Sequence, residues 1–232
     1  MPTVSIIIPT FNEERSLYST IAALRLCCPD AEIIVADGES SDGTADVALK
    51  QGSRVVRSKK GRGAQLRVGA EAAAGDVLWF VHADTIPDTD ALEQITNALL
   101  DASVVGGNFT VVFDGTSRPA RFMSWLYPKL ARLGLAYGDS GIFVRRGVYE
   151  RVEGFKPLPL FEDLDLLYRI RREGKFKTLD AKVVTSSRRF EGRSFPMMFA
   201  RWSFLQVLFW CGVRPDRLVK LYQPVRSARR LG

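Results

Sequence analysis

The 232-residue chain is predicted to form one α/β domain, with a mostly parallel sheet flanked by helices. Apolar segments of strand length alternate with segments in which apolar residues recur every three or four positions, as they do in helices. The strand segments are largely continuous in apolar character, which is typical of a parallel sheet buried on both faces. With 46% hydrophobic and 25% charged residues, the composition excludes disordered, collagen-like and coiled-coil chains.

The first half of the chain carries the regular alternation. Strands are predicted at residues 4–9, 31–37, 54–57, 76–82 and 107–113. Helices are predicted between them at residues 17–28, 42–51, 64–73 and 88–100. Ligands of open α/β sheets bind at the carboxyl ends of the strands, so the residues that follow each strand are the candidates for function.

The second half is less regular and is rich in glycine and proline loops. Helices are predicted at residues 119–133 and 164–173, and strands at residues 141–145 and 177–184. No internal repeat or linker composition interrupts the chain. We therefore expect one domain with a nucleotide-binding half and an irregular, acceptor-side half.

Polar clusters follow four successive predicted strands, at residues 9–13, 37–44, 60–65 and 82–85. Together they would place pocket-lining groups along one edge of the sheet, as a nucleotide requires for its base, ribose and diphosphate. Asp37 ends an apolar strand and precedes Gly38, so its carboxylate is predicted to face the crevice. The glycines at 61 and 63 fit neither the P-loop nor the dinucleotide-binding pattern, and we interpret them as a basic loop that approaches a phosphate or base through backbone N–H groups.

Candidate catalytic groups follow the later elements. Asp84 is predicted to end its strand and to bind Mg²⁺ or Mn²⁺, because these ions take carboxylate and phosphate oxygens. His82, the single histidine, shares that strand face and either lines the pocket or is buried. Asp163 opens a helix and is either a helix cap or a general base. The loop at Gly138 and Asp139 is a candidate acceptor contact.

Two adjacent arginines, Arg188 and Arg189, are predicted to hold a diphosphate through bidentate hydrogen bonds; the alternative is solvated surface charge. Between residues 188 and 230 the chain has ten basic and two acidic residues, so the positive net charge of +7 arises in this segment. Such a segment suits a phosphorylated substrate or an anionic membrane surface.

The ordered motifs resemble those of the family 2 glycosyltransferases with the GT-A fold. The resemblance covers residues 1–190 and rests on the sequence at 4–13, on Asp37-Gly38 within 33–44, on Gly61-Arg62-Gly63, on His82-Ala83-Asp84 and on Glu162-Asp163. It implies an inverting enzyme that uses a nucleoside-diphosphate sugar, a UDP- or GDP-sugar, with a divalent metal ion, Mn²⁺ or Mg²⁺.

The resemblance also assigns roles by position. The nucleoside would be held by Pro9, Thr10, Glu13 and Asp37. The donor pocket would further be lined by Arg62, Gly63, Gln65 and His82. Asp84 would bind the metal ion, and Asp163, with its neighbour Glu162, would be the catalytic base. The family's Asp-x-Asp stands here as His82-Ala83-Asp84, which keeps the second carboxylate and lacks the first.

Residues 191–232 are predicted to form a separate C-terminal helical segment, aromatic, basic and partly amphipathic. It would lie on a membrane surface, pack on the core or form a homodimer contact, and membrane contact would favour a lipid-linked acceptor. The apolar stretch at 203–213 is about half of the roughly 20 residues that span a bilayer. With no basic region before the first apolar run, we expect a cytoplasmic protein, peripheral at the inner membrane face if the segment binds lipid.

Two other functions compete with the glycosyltransferase interpretation. A sugar nucleotidyltransferase has a glycine-rich first loop, whereas residues 9–13 contain no glycine. A non-catalytic nucleotide-sugar or lipid-surface binding protein is the main alternative. Nucleic acid is not expected as a partner, because the C-terminal aromatics have helical spacing and form no stacking platform.

Overall fold

The computed structural model describes residues 2–132, 134–190 and 194–222. Its strands are β1 (Val4–Thr10), β2 (Glu32–Asp37), β3 (Arg54–Arg57), β4 (Val77–Phe80), β5 (Thr85–Pro87), β6 (Val104–Phe113), β7 (Phe143–Arg145) and β8 (Lys175–Thr185). Its helices are α1 (Glu14–Cys27), α2 (Thr44–Lys50), α3 (Arg62–Ala72), α4 (Ala91–Ala98), α5 (Arg118–Arg132), α6 (Arg146–Arg151), α7 (Glu162–Ile170), α8 (Phe195–Trp210) and α9 (Pro215–Leu218).

The strands form one sheet in the order β3-β2-β1-β4-β7-β6-β8-β5. Strands β3, β2, β1 and β4 are parallel, so their carboxyl ends share one edge. In β1, Ile6 and Ile8 pack in the core on the α1 side, and Ile7 packs with Leu66 of α3 on the other side. Because both faces are covered, the strand is apolar at consecutive positions, which confirms the predicted α/β fold.

The second half of the sheet is mixed. Strand β7 lies antiparallel between β4 and β6, while β6 and β8 are parallel. Strand β5 pairs antiparallel with β8 at the edge. Its three residues and the six-residue helix α6 were not predicted, since such short segments have no periodicity to detect.

The boundary of β4 corrects one prediction. The strand ends at Phe80, and after Val81 donates to the Ile7 carbonyl the chain turns, with Thr85 N bonded to the His82 carbonyl. His82 and Asp84 therefore lie in a turn beyond the strand, and the prediction that Asp84 ends it on a shared strand face is wrong. Helix α7 also begins at Glu162, two residues before the predicted start. The predicted end of α5, Leu133, lies outside the described residues.

Helix α8 packs on the domain with one side only. Its partly buried aromatic residues contact the main core, for example Phe195 against Phe190. The opposite side exposes apolar side chains, Met197 at 73% and Phe204 at 57%. Within α8 the only charged residue is Arg201, so the helix is mostly apolar and the other basic residues of the predicted segment lie outside it.

The distal end of α8 is also anchored. Phe209 packs on Phe161 at 4.8 Å between ring centroids, and Trp210 Nε1 donates to the Tyr168 hydroxyl at 2.6 Å. In the part of the chain that the structure describes, no helix combines the length and apolar character that crossing a membrane requires. The predicted segment boundary between residues 190 and 191 coincides with the end of a described range. The described residues do not include the basic residues Arg193, Arg226, Arg229 and Arg230.

Candidate active site

A pocket of about 300 Å³, here called the polar pocket, opens beyond the carboxyl ends of β1 and β4. Among the residues predicted to bind the donor, seven line it: Pro9, Thr10, Glu13, Arg62, Gln65, His82 and Asp84. The two predicted diphosphate ligands, Arg188 and Arg189, close its far side. These residues come from four separate parts of the sequence and meet at the predicted edge of the sheet.

The ends of β1 and β2 are held together by a hydrogen-bond network. Asp37 Oδ1 accepts from Thr10 Oγ1 at 3.2 Å and from Ser40 Oγ at 2.5 Å. Gln65 Nε2 donates to the carbonyl oxygens of Thr10 at 2.5 Å and Ala36 at 3.0 Å. Asp37 lies behind the pocket rather than in its wall, so in this structure it positions Thr10.

Gly63 also lies outside the pocket wall, and its role in packing is visible. A Cβ atom at this position would lie 2.7 Å from the Lys156 carbonyl oxygen, which is closer than atoms can pack. The absence of a side chain lets α3 approach the segment before α7. That approach brings Arg62, the preceding residue, against the first residues of α7.

Arg188 joins two carboxylates in the wall of the polar pocket. Its Nη2 lies 2.8 Å from Glu13 Oε2 and 2.9 Å from Asp84 Oδ2. One guanidinium group thus faces two carboxylates that are both largely buried. Arg62 and Arg189 line the same pocket, so its charged lining residues are three arginines and two carboxylates.

The polar pocket fits a divalent cation when a diphosphate is also present. Within residues 2–132, 134–190 and 194–222, no three acidic, histidine or cysteine side chains converge as a complete metal site. Asp84 offers one carboxylate at the pocket wall. One or two carboxylates with phosphate oxygens are the usual ligands of Mg²⁺ at phosphate sites, so Asp84 is the residue that would hold the ion.

An acidic pair at the start of α7 is held by Arg62. Its Nε donates to Glu162, and its Nη2 donates to Asp163 Oδ2 at 3.0 Å. The Gly138 N–H donates to the same Asp163 oxygen at 2.7 Å. Burial raises the pKa of Glu162, an effect that the adjacent Arg62 opposes and the Asp163 carboxylate reinforces.

His82 lies beside this cluster, with Nε2 3.4 Å from Arg62 Nη1. Burial lowers the pKa of His82 well below its usual value, and the positive charges of Arg62, Arg189 and Arg188 lower it further. The imidazole is therefore neutral at physiological pH. It supplies a polar atom but no negative charge at the position of the missing first carboxylate.

A second pocket of about 400 Å³, here called the apolar pocket, lies between α5 and α8. Asp163, Gly138 and Asp139, the predicted base and acceptor residues, line it. Arg62 and Arg189 line both pockets and form part of the wall between them. Asp163 lies in the wall of the apolar pocket, and Glu162 lines neither pocket.

Asp139 is buried in the wall of the apolar pocket. Its Oδ2 accepts from the Tyr127 hydroxyl at 3.2 Å and lies 3.4 Å from Arg189 Nη1. Burial raises the pKa of Asp139, while Arg189 opposes the shift. Its Oδ1 is buried with no hydrogen-bond partner in the described part of the chain.

Five residues that line the polar pocket were not among the predicted site residues: Phe11, Ala83, Ser186, Trp202 and Tyr222. The Lys60 ammonium lies 3.8 Å from the centroid of the Phe11 ring. Phe11 adjoins predicted residues in the sequence, and this position could have indicated that it lines the site. Ser186 likewise lies two residues before Arg188. Trp202 and Tyr222 come from the C-terminal segment, where helical spacing gave no indication of which side chains reach the site.

Comparison with known proteins identifies the family of the chain. A sequence profile of glycosyl transferase family 2 matches residues 5–156, about two thirds of the chain, so the chain belongs to that family. The match confirms the resemblance derived from the ordered motifs.

Two relatives and one solved structure illustrate the similarity. A probable glycosyltransferase, YdaM of Bacillus subtilis, is 27% identical over 204 residues, covering 75% of this chain and 48% of the relative. An undecaprenyl-phosphate mannosyltransferase of Micrococcus luteus is 34% identical over 152 residues, covering 57% of this chain and 61% of the relative. The chain thus spans about half of the first relative and less than two thirds of the second.

Among solved structures, glucosyl-3-phosphoglycerate synthase from Mycobacterium tuberculosis, in complex with Mn²⁺, UDP-glucose and phosphoglyceric acid, superimposes with a TM-score of 0.66. The match covers 91% of this chain and 80% of that one at 22% identity. A likeness at this identity shows a shared fold, the GT-A fold.

Proposed function

We propose that this chain is an inverting glycosyltransferase that moves a sugar from a UDP- or GDP-sugar to an acceptor hydroxyl group. The observation that carries the proposal is the meeting of two pockets at Arg62, with the nucleotide-type groups in one and the Asp163 carboxylate in the other. Membership of family 2 supports the reaction class. The Mn²⁺ and UDP-glucose in the structure of the glucosyl-3-phosphoglycerate synthase support the donor class.

In this proposal the polar pocket binds the nucleoside diphosphate. Pro9, Thr10 and Glu13 lie at the end of β1, where a base and ribose would be bound, with Asp37 and Gln65 fixing the Thr10 backbone and side chain. Gly63 sets the position of α3. Arg188 and Arg189 face the same space from the opposite side and would contact the diphosphate.

Asp163 is proposed as the general base. Its Oδ2 is fixed by Arg62 and by the Gly138 N–H, which orients the carboxylate along the wall of the apolar pocket. The carboxylate takes the proton of the acceptor hydroxyl while that oxygen forms a bond to the anomeric carbon. The bond from that carbon to the diphosphate oxygen breaks, and its electron pair leaves with the diphosphate. Attack from the side opposite the leaving group inverts the configuration.

Glu162 is proposed to act through Arg62 rather than on the substrate. It holds the guanidinium by its Nε, which directs Nη2 to Asp163 and Nη1 toward His82. A divalent ion on Asp84, Mn²⁺ or Mg²⁺, would stabilise the negative charge of the leaving diphosphate. Arg188 and Arg189 supply positive charge at the same place.

The acceptor is proposed to be lipid-linked, with the protein in peripheral contact with a membrane on the cytoplasmic side. The exposed apolar side of α8 and the net positive charge of the segment from 188 to 230 support this contact. The undecaprenyl-phosphate mannosyltransferase among the relatives is consistent with it. A homodimer through the same face is the competing arrangement, and a sedimentation measurement separates the two.

Calorimetry tests the proposed donor site. UDP and GDP are titrated into the wild-type protein and into Asp84→Ala, each with and without Mn²⁺. We expect one nucleotide to bind in the presence of Mn²⁺ and the metal-dependent part of its affinity to disappear in Asp84→Ala. Absence of binding by either nucleotide, with and without Mn²⁺, would contradict the proposal. Nucleotide binding without any turnover of a nucleotide sugar would favour the non-catalytic binding protein.

A further inference from the structure

The apolar pocket is suited to a hydrocarbon chain. Most of its wall comes from aliphatic and aromatic side chains of α5, α8 and the loop after α5, among them Met123, Leu126, Leu130, Leu135, Phe199 and Leu205. Its volume of about 400 Å³ exceeds that of the polar pocket. Each CH₂ group that leaves water for an apolar wall adds to the binding free energy, so such a wall selects for a chain over a free sugar.

The inner end of this pocket is where the proposed chemistry occurs. Asp163 and Asp139 both line it. The Gly138 N–H donates to Asp163 Oδ2, so the loop that carries Asp139 is bonded to α7, which carries Asp163. A chain bound along the apolar wall therefore places its polar head beside the proposed base. Arg62 and Arg189, which also line the polar pocket, lie where that head would meet the donor.

The charges at the inner end favour an uncharged head group. The two carboxylates that line this end, those of Asp163 and Asp139, are already paired with the two guanidinium groups of Arg62 and Arg189. A phosphate head would add a negative charge for which the described lining of the pocket offers no further cation. A hydroxyl group adds none.

Asp139 also has unused hydrogen-bonding capacity. Its Oδ1 has no partner among the described residues, and burying a carboxylate oxygen without a hydrogen bond is costly.

We infer that the acceptor is an amphiphile with a hydrocarbon chain in the apolar pocket and an uncharged hydroxyl head between Asp139 and Asp163. This inference rests on the proposed function and names its acceptor class. It commits to a lipid alcohol rather than a lipid phosphate, although one relative's name includes undecaprenyl phosphate. The exposed apolar side of α8, which shares its helix with the pocket wall, provides the route from a lipid surface.

Binding of three defined probes tests the inference. The probes are 1-decanol, which has a chain and a hydroxyl head; decyl phosphate, with the same chain and a charged head; and 1-butanol, with a short chain. Binding is followed by calorimetry and by the fluorescence of Trp202 and Trp210, which line the pocket. We expect 1-decanol to bind more tightly than decyl phosphate by roughly tenfold and 1-butanol not to bind measurably.

Two matched variants on α8 locate the probe. Ser203→Phe places a ring in the apolar pocket, whereas Ala200→Phe adds the same ring at an exposed position of the same helix outside the pocket. We expect the first variant to reduce 1-decanol affinity at least roughly tenfold and the second to leave it unchanged. Because both additions are at exposed positions, thermal unfolding of the two variants should remain close to that of the wild type.

A third variant tests the head-group argument. Asp139→Asn removes the negative charge and keeps the shape, so the preference for 1-decanol over decyl phosphate should shrink or reverse. An effect on folding alone would lower both affinities together and leave their ratio unchanged, which would overturn the assignment of Asp139.

The remaining outcomes separate this inference from the proposed function. If UDP or GDP binds but 1-decanol does not, the acceptor inference fails while the donor site stands. If decyl phosphate binds more tightly than 1-decanol, the hydroxyl head is wrong. If the protein is a dimer in which Phe204→Glu releases monomers and only the monomers bind 1-decanol, a second copy occupies this face and the inference is contradicted.

Discussion

The two pockets share four lining residues, Arg62, Arg189, Trp202 and Tyr222, but are built in different ways. The polar pocket forms at the carboxyl ends of parallel strands, where backbone and side-chain hydrogen bonds fix each group, as Gln65 does for β1 and β2. The apolar pocket forms between α5 and α8, where side-chain packing sets the shape. On the proposed function, hydrogen bonds at the sheet edge fix the groups that would bind the nucleotide, while packing of the helices shapes the side that would take the acceptor.

Replacement of the proposed base, Asp163, is expected to have the largest effect on activity. Asp163→Asn should lower kcat by roughly 10²–10⁴-fold, because the amide cannot take the acceptor proton. Nucleotide affinity measured by calorimetry should change little, since Asp163 lines the apolar pocket only.

Asp165→Asn is the matched control for this prediction. Asp165 lies on the same helix and pairs with Arg169 at 2.6 Å, away from both pockets. Its kcat should stay near that of the wild type. Equal losses of kcat in both variants would show a general defect of α7 and would contradict the role of Asp163.

Arg62, in the wall that the two pockets share, is expected to have the next largest effect when it is replaced. Arg62→Met should lower the free energy of unfolding by about 3 kcal/mol, because it leaves Glu162 and Asp163 buried side by side without their common cation. Urea denaturation measures this change. Arg67→Met on the same helix removes only an exposed pair with Glu71 and should have a far smaller effect.

The packing of α3 against the segment before α7 can be tested with a single methyl group. Gly63→Ala should cost about 1–3 kcal/mol of stability, because the new Cβ meets the Lys156 carbonyl oxygen at 2.7 Å. In Gly147→Ala the nearest contact of the new Cβ is Arg151 Nη1 at 3.6 Å, so that variant should be at least as stable as the wild type. Thermal unfolding of both compares them; equal stability would contradict this account of Gly63.

The smallest effect is a pH dependence from Glu162. Its pKa is raised by burial, so the folded protein holds this proton more tightly than the unfolded chain does. The resulting stability is fully present below the ordinary value of 4.5 and is lost as pH rises through the folded pKa. Glu162→Gln should lack this loss, which urea denaturation between pH 4.5 and 8 would reveal as a shallower decline.

Glu150→Gln provides the control for the pH series, since the Glu150 side chain is 64% exposed. Its stability should follow the wild-type curve at every pH. A decline in Glu162→Gln as steep as that of the wild type would contradict the assignment.

The sequence predicted the sheet edge well because its signals are local. Continuous apolar strands such as β1, each followed by polar residues, predicted that Thr10 and Arg188 lie in the same site. The ordered motifs indicated the family. The turn after Phe80 was missed because Val81 and Ala83 continue the apolar pattern after strand pairing has ended.

The apolar pocket could not be predicted from the sequence. Its walls, α5 at 118–132 and α8 at 195–210, are separated by more than sixty residues and meet only through packing, as in the contact of Phe122 with Phe199 at 6.0 Å. The antiparallel insertion of β7 between β4 and β6 likewise depends on tertiary pairing that leaves no periodic signal.

If the two pockets of opposite chemistry are separate sites that meet at Arg62, a donor nucleotide and a lipid alcohol bind at the same time, and calorimetry tests this. UDP or GDP with Mn²⁺, whichever binds, is titrated into protein already saturated with 1-decanol, and the titration is repeated in the reverse order. We expect each ligand to bind with an affinity within about twofold of its value alone, because the pockets lie on opposite sides of Arg62. Mutual displacement of the two ligands would contradict the claim.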